Sequence, residues 1–361
     1  MRLAQSHPAP ARLKRPGVVV TRDISRLRRL KNALAGARRL LVLTHDHPDP
    51  DAIASAWALG KIVRAMPIRR VMLAYGGIIG RSENRAMLEV LRIPMRSAAS
   101  VSWESFDALA LVDSQPGAGN NSLPPGRLPT IVFDHHPCGH GTRAARFHDV
   151  REGYGATATI LFEYLQAAGI EPDRRLATAI FHAIRSETQN LGREAGQADA
   201  RAFLCCFPLV DNEALSRIEH ARLPKSYFAM IDRAIDGTTI HGEAVVTILG
   251  EVRSTDMVAQ FADLMIRLEG IGWVLAIGRR GGDLLLSVRT NHRRRNAGRV
   301  IRTIVGPQGV AGGHDMIAGG RLIGQAGTET AARRAERSLA RRFLSMVGAA
   351  GTRSSRLARL Q

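Results

Sequence analysis

The sequence predicts an α/β protein: a mostly parallel, doubly wound sheet with helices on both faces, followed by a second, smaller α/β domain. Three observations carry this. Between residues 38 and 134, apolar runs of strand length alternate with stretches of helical spacing, the pattern that builds parallel sheets. A second alternation begins near residue 238. A chain of 361 residues also exceeds what one hydrophobic core usually fills.

Residues 1–20 are basic, contain Pro, and lack the apolar stretch of a secretory signal, so a flexible arm on a cytoplasmic protein is expected. RRLLVLT then reads as a strand, DAIASAWALGKIVRAM as a helix, VMLAY as a strand and ENRAMLEVL as a helix. ALALVD and TIVFD are two further strands, and ATATILFEYLQAAG, DRRLATAIFHAIRS and QADARAFLCCF are three helices. Together they make a first domain over 21–205. Residues 206–237 carry Pro208, Pro224 and Gly237 with little periodicity, and are expected to connect the domains. The second domain, 238–347, offers the strand AVVTIL, the helix DMVAQFADLMIRL, the strands WVLAIGR and DLLLSVRT, and a helix near AGRVIRTIV. The Gly-rich GVAGGHDMIAGG and a long Arg-rich helix follow, then a basic tail at 348–361.

Hydrophobic residues are 45 % of the chain, enough to bury real cores and to exclude disorder by composition. No apolar run approaches the ~20 residues that span a bilayer. Three cysteines, two of them adjacent (Cys205 and Cys206), make no disulfide framework. The net charge of +19 favours phosphorylated partners. Only four of the 51 basic residues are lysine, which points to base composition as the source of the arginine. Much of the excess charge lies in the arm and the last turns, so it supports a phosphate-bearing substrate only weakly.

The densest chemical signal is His45-Asp46-His47-Pro48-Asp49-Pro50-Asp51. Carboxylates suit hard divalent cations and imidazole suits Mn²⁺ and its neighbours, while the two prolines stiffen the loop. Asp113 ends one predicted strand, and Asp134-His135-His136 ends the next. Ligands of open α/β sheets bind outside the carboxyl ends of strands, where these three clusters can converge. A carboxylate between two cations can bridge them. His47, Asp46, His140 and His182 read as supporting or structural residues, and Gly76-Gly77 with Gly80 as a loop near the cleft.

These motifs resemble the DHH phosphoesterase superfamily: the H-x-x-P-D-x-D opening, the isolated strand-end aspartate, the DHH triplet and a Gly-Gly-His segment in the second domain. The resemblance spans most of residues 38–325 and is nearest to the nanoRNase and RecJ-like branch, in which a DHH domain precedes a DHH-associated C-terminal domain. It implies two divalent cations, Mn²⁺ first and Mg²⁺ second. His45 and Asp49 would hold one, Asp51 and His135 the other, and Asp113 both. Asp134 would orient, and His136 would donate a proton to a phosphate oxygen or the leaving group. Arg289 and Gly312-Gly313-His314 would bind substrate. The family's usual Asp-Thr is replaced here by Glu187-Thr188, so Glu187 enters the ligand set with a longer arm. Its triple glycine reads Ala311-Gly312-Gly313.

The expected activity is therefore phosphodiester hydrolysis of short oligonucleotides or small nucleotides by metal-activated water. A phosphatase of adenosine bisphosphate or pyrophosphate would use the same cations, and a non-catalytic nucleotide or nucleic-acid binding module would keep only the binding. The expected partner is the nucleotide substrate, with no membrane; self-association as a homodimer is left open.

Overall fold

The computed structural model describes residues 21–292 and 294–359, the side chains of 21–23, 314 and 359 excepted. The arm at 1–20 therefore lies outside the described residues. The first domain runs α1 (Thr21–Ala33), β1 (Arg39–Thr44), α2 (Pro50–Arg64), β2 (Arg70–Tyr75), α3 (Ser82–Val90), β3 (Met95–Ser97), β4 (Ala108–Val112), β5 (Ile131–Asp134), β6 (Phe147–Val150), α4 (Thr157–Ala167), α5 (Arg174–Glu187), α6 (Gln197–Cys206) and α7 (Asn212–Glu219). Its six strands lie in the order β3-β2-β1-β4-β5-β6 and every pairing is parallel.

Strand order reverses between β1 and β4, which opens a crevice at their carboxyl ends. Side chains alternate across the sheet with period two. Leu40, Val42, Ala110, Val112, Ile131 and Phe133 join the helices in one core, while Leu41, Leu43, Leu109, Leu111 and Val132 face the other way. That second face is closed by short 3₁₀ turns at Ala98–Ser100, Trp103–Ser105 and His140–Ala144. The alternating pattern had suggested α-helices there; instead α2 to α7 all contribute to the first core.

The second domain contains α8 (Lys225–Asp236), β7 (Thr238–His241), β8 (Ala244–Glu251), α9 (Thr255–Met265), β9 (Trp273–Arg280), β10 (Asp283–Thr290), α10 (Ala297–Val305), β11 (Gly309–His314), β12 (Ile317–Leu322), α11 (Glu329–Val347) and β13 (Ser354–Arg356). Its seven strands run β11-β12-β10-β9-β8-β7-β13, antiparallel except for β8 with β9. Residues of α10 and α11 fill the core on one face, and residues of α8 and α9 the core on the other.

Two sequence readings change. The stretch 206–237 is not a bare connection. It folds into α7, whose Leu215 and Ile218 enter the first core, and α8, whose Met230 and Ala234 enter the second domain. Prolines mark helix starts here, not a break: Pro224 stands immediately before α8, where a missing N–H costs nothing. Likewise the tail at 348–361 is not all tail, since β13 pairs antiparallel with β7.

The Gly-rich segment forms a hairpin, β11 with β12. Glycine is required at Gly298, where a Cβ would stand 2.1 Å from the Gly313 carbonyl oxygen. It is required again at Gly313, whose φ is +127° and whose Cβ would meet the Ala318 Cα at 2.5 Å. Helix α10 thus lies directly on this hairpin.

The domains meet through polar contacts. The Gly80 N–H donates to Asp256 Oδ2 at 3.1 Å, and Arg81 Nη2 lies 3.5 Å from Asp263 Oδ2. No helix among the described residues is long and apolar enough to cross a membrane.

Candidate metal centre

The loop after β1 turns sharply into α2, and Asp49 is the helix N-cap, its Oδ1 accepting from the Ala52 N–H at 3.0 Å. Pro50 at the first helical position fixes a helix-ready φ. The neighbouring loop presses against this turn: a Cβ on Gly76 would stand 1.7 Å from Asp46 Oδ1, and one on Gly77 2.6 Å from the His47 ring. The sequence reading of a loop beside the cleft agrees with this packing.

Asp113 lies just past β4 with φ +57°, a left-handed conformation that costs a non-glycine residue ~1–2 kcal/mol. The strain aims a buried carboxylate into the crevice. His45 Nε2 lies 3.6 Å from Asp113 Oδ2 and 3.7 Å from Asp49 Oδ1. On the other side, His135 Nε2 lies 3.8 Å from Asp113 Oδ1 and 3.9 Å from Asp51 Oδ2. Asp113 thus belongs to two donor groups at once: His45 with Asp49, and His135 with His136.

The histidine tautomers follow from their back contacts. His45 Nδ1 faces the Asp46 carbonyl at 2.8 Å and His135 Nδ1 faces the Tyr154 carbonyl at 3.0 Å. A carbonyl only accepts, so each Nδ1 carries a proton and each Nε2 faces the crevice, where the neutral ring offers a lone pair. At His45 burial opposes the charge, but Asp113 and Asp49 raise the pKa well above the usual range, so a cation there would take the place of the Nε2 proton. His135 Nε2 is buried without a hydrogen-bond partner. An orphaned acceptor beside two carboxylates is what a cation would complete, so the donor set fits a divalent metal.

The remaining residues sort by what already occupies them. Asp134 Oδ1 accepts from the His135 N–H (2.8 Å), the His136 N–H (3.2 Å) and His136 Nδ1 (2.9 Å), and Oδ2 accepts from Gln115 Nε2 at 2.7 Å. With its lone pairs spent, Asp134 orients the triplet. His136 Nδ1 is committed to Asp134, so it has no lone pair for a cation even though it approaches Asp113 Oδ1 at 4.0 Å. Burial disfavours its charge, but Asp134, Asp113 and Glu187 outweigh that and raise its pKa to about 9. Without cations, His136 is therefore an imidazolium at neutral pH.

Asp51 is 1 % exposed. Its Oδ2 accepts from the Thr157 N–H and its Oδ1 from the Ala158 N–H, both at 2.7 Å, so it caps α4 from across the chain. Burial, then Asp113, Asp49 and Glu187, push its pKa well above the usual carboxylate range. Asp49 moves the other way: burial opposes, but the neighbouring His45 ring and the Ala52 N–H lower its pKa.

Glu187 ends α5, and the structure does not bring it into either donor group. Its Oε1 lies 3.3 Å from Arg193 Nη2. Burial and the charge of Asp49 raise its pKa. Its charge reaches Asp51 and His136, so Glu187→Gln should weaken Mn²⁺ binding about three- to tenfold without changing how many ions bind. Calorimetry showing one ion fewer in Glu187→Gln would make it a ligand.

Sequence reasoning missed Gln115 and Thr157. Gln115 Oε1 also accepts from the Gly139 N–H (2.7 Å) and Thr142 Oγ1 (2.6 Å), pinning the loop after the triplet. Thr157 Oγ1 donates to Asp113 Oδ1 at 2.8 Å. Gln115, two residues after Asp113, was the one local clue; nothing local pointed to Thr157.

In the second domain, register aligns Arg289 with Ile317 and Ile317 with His314. Arg289 is buried, donating from Nε to Asp263 Oδ1 at 2.6 Å and from Nη1 to Ser287 Oγ at 2.8 Å. A Cβ on Gly312 would meet nothing within 4 Å, so the strand edge there is open. The His314 side chain falls outside the described residues. Asp256, Ser287, Arg289, Gly319 and Arg321 border a cavity of about 370 Å³.

Comparison with known proteins bears on the first domain and on the fold. Residues 39–184 match the DHH family, N-terminal domain. An uncharacterized protein of Methanocaldococcus jannaschii is 32 % identical over 286 residues, which are 78 % of this chain. The chain spans 58 % of that relative's length. Among solved structures, an exopolyphosphatase-related protein from Bacteroides fragilis superposes with a TM-score of 0.68 at 13 % identity, covering 88 % of this chain and 96 % of that one. RecJ from Thermus thermophilus, in complex with Mn²⁺, gives a TM-score of 0.46 at 15 % identity, covering 90 % of this chain and 55 % of that one. The match places residues 39–184, with their parallel sheet and strand-end triplet, in the DHH family as its N-terminal domain.

Proposed function

We propose that this metal-dependent phosphoesterase hydrolyses phosphodiester bonds of short oligonucleotides, using two divalent cations, Mn²⁺ in preference to Mg²⁺. The observation that carries the reading is the placement of Asp113 between His45 with Asp49 on one side and, on the other, the orphaned His135 Nε2, which lies 3.9 Å from Asp51 Oδ2. His45 and Asp49 would hold one cation, Asp51 and His135 the other, with Asp113 shared. Such a pair supplies an activated water and neutralises charge on the phosphoryl oxygens.

The chain's own groups do the rest. The His136 imidazolium, aligned by Asp134, holds a proton for a phosphate or leaving-group oxygen. Arg289 and the open strand at Gly312 and Gly313 supply a guanidinium and backbone N–H groups to a terminal phosphate. The cavity of about 370 Å³ beside Arg289 is within the usual size for small-ligand sites, and favours a substrate of a few nucleotides over a long strand in that cleft. A cytoplasmic location accords with this substrate.

Product analysis with Mn²⁺ on RNA of roughly 2 to 24 nucleotides, adenosine bisphosphate and pyrophosphate tests the reading. Hydrolysis of the shortest RNAs is expected to dominate. Faster turnover of adenosine bisphosphate or pyrophosphate would establish the phosphatase alternative, and binding without turnover the non-catalytic one. Arg289→Ala should raise KM for a dinucleotide at least tenfold with little change in Mn²⁺ affinity, because a guanidinium pairs with phosphate oxygens. Unchanged dinucleotide affinity would remove Arg289 from the site.

A further inference from the structure

The net charge of +19 is not consumed by the metal centre. Helices α10 and α11 lie side by side and border a groove of about 540 Å³ lined by Thr303, Ser338, Arg341, Arg342, Ser345 and Met346. Along α11, Arg334, Arg337, Ser338, Arg341 and Ser345 recur at the spacing of one helix face. Arg299 and Arg302 are exposed on α10.

Carboxylates at i, i+4 balance basic residues on a helix surface. Helix α11 has one such pair, Glu329 with Arg333. Glu336 is buried and accepts from Arg279 Nη2 at 2.8 Å, and Glu329 is shared by Arg279 and Arg333. Both acids of α11 are thereby occupied. Among the described residues, Arg299, Arg302, Arg334, Arg337, Arg341 and Arg342 have no carboxylate within ion-pair distance. Arg302 and Arg342 are tied to carbonyls, of Gly313 and Ile304, each at 3.2 Å, and their other donors stay available.

We infer that this face binds the phosphodiester backbone of a nucleic-acid strand, at a surface separate from the metal centre. Guanidinium forks match phosphate oxygens, and Thr303, Ser338 and Ser345 add hydroxyl donors along the groove. A membrane is the poorer match. Basic interfacial helices carry large apolar residues to insert, and no exposed large hydrophobic residue lies on α10 or α11. The groove also lacks aromatic residues, so bases have nothing to stack on and binding is independent of sequence.

The test is fluorescence anisotropy of a labelled 24-nucleotide single-stranded RNA with the full chain in EDTA, across a range of salt. The triple variant Arg334→Ala, Arg337→Ala and Arg341→Ala should raise Kd at least tenfold. It should also flatten the slope of log K against log salt by about 2, at ~0.7 per phosphate contact on a single strand. The corresponding triple lysine variant should keep the slope, and DNA of the same sequence should behave as the RNA does. If the alanine triple melts early, the single reversal Arg341→Glu carries the test. An unchanged Kd and slope overturns the inference, as does a wild type that binds phosphatidylserine vesicles but not RNA. Because the readout is binding without cations, its failure is distinct from failure of the hydrolysis assay.

Discussion

Asp113→Ala should reduce hydrolysis by about a thousandfold or more while leaving the cation-free protein folded. The size follows from metal catalysis supplying several kcal/mol at ~1.4 kcal/mol per factor of ten, with Asp113 the one residue common to both donor groups. Folding should survive because the carboxylate gives the cation-free chain little. It accepts a hydrogen bond from Thr157 Oγ1, and its charge is among the causes that raise the pKa of Asp51. Alanine at φ +57° is strained by ~1 kcal/mol or so, so Asp113→Asn, which tolerates that region, separates strain from charge. Both variants should be inactive with Mn²⁺, and only the alanine should melt early. Retention of more than about a tenth of wild-type rate would remove Asp113 as a shared ligand.

Asp51→Ala should fail in a different way, losing both activity and stability. The Thr157 and Ala158 N–H groups would lose their acceptor, and Ala156, the N-cap of α4, provides no side-chain bond in compensation. Each abandoned buried donor costs ~1–3 kcal/mol. Relief of repulsion from Asp113 and Asp49 offsets part of this, leaving about 2 kcal/mol as the expected loss. Urea unfolding in EDTA measures it without interference from cations. A variant as stable as wild type would mean that α4 finds another cap, and one that keeps its hydrolytic rate would remove Asp51 from the second cation.

The contrast between these two aspartates explains how much the sequence disclosed. His45, Asp49, Asp113 and the triplet were legible because each sits at a strand end or helix start, and periodicity locates those from neighbouring residues alone. The parallel sheet was legible for the same reason: β4 is apolar throughout, and β1 and β5 are apolar but for their end residues, as strands covered on both faces are. Partnerships across the chain were not legible. The bond from Thr157 to Asp51 joins residues 106 positions apart, and Gln115 reaches Asp134 across 19; neither leaves a local pattern. Prolines misled at 206–237, because a Pro at a helix start and a Pro in a linker look alike. Glycines concealed the β11–β12 hairpin, where small residues admit α10 instead of forming a loop. Glu187 matched a ligand position in sequence, but its partner Arg193 needed the turn after α5 to be seen.

The cap on α4 also sets an order of events during synthesis. Asp51 and Asp113 leave the ribosome long before Thr157, and until that helix docks their carboxylates lack the donors of α4, the Thr157 and Ala158 N–H groups and Thr157 Oγ1, and their final separation. A nascent chain therefore presents cations with scattered acidic groups and not a paired site. Since His135 is oriented by the Tyr154 carbonyl, the second imidazole also waits for the segment just ahead of α4. A divalent cation would then be taken up only after the first domain has folded, so a chain made without one would be folded but unloaded, not unfolded.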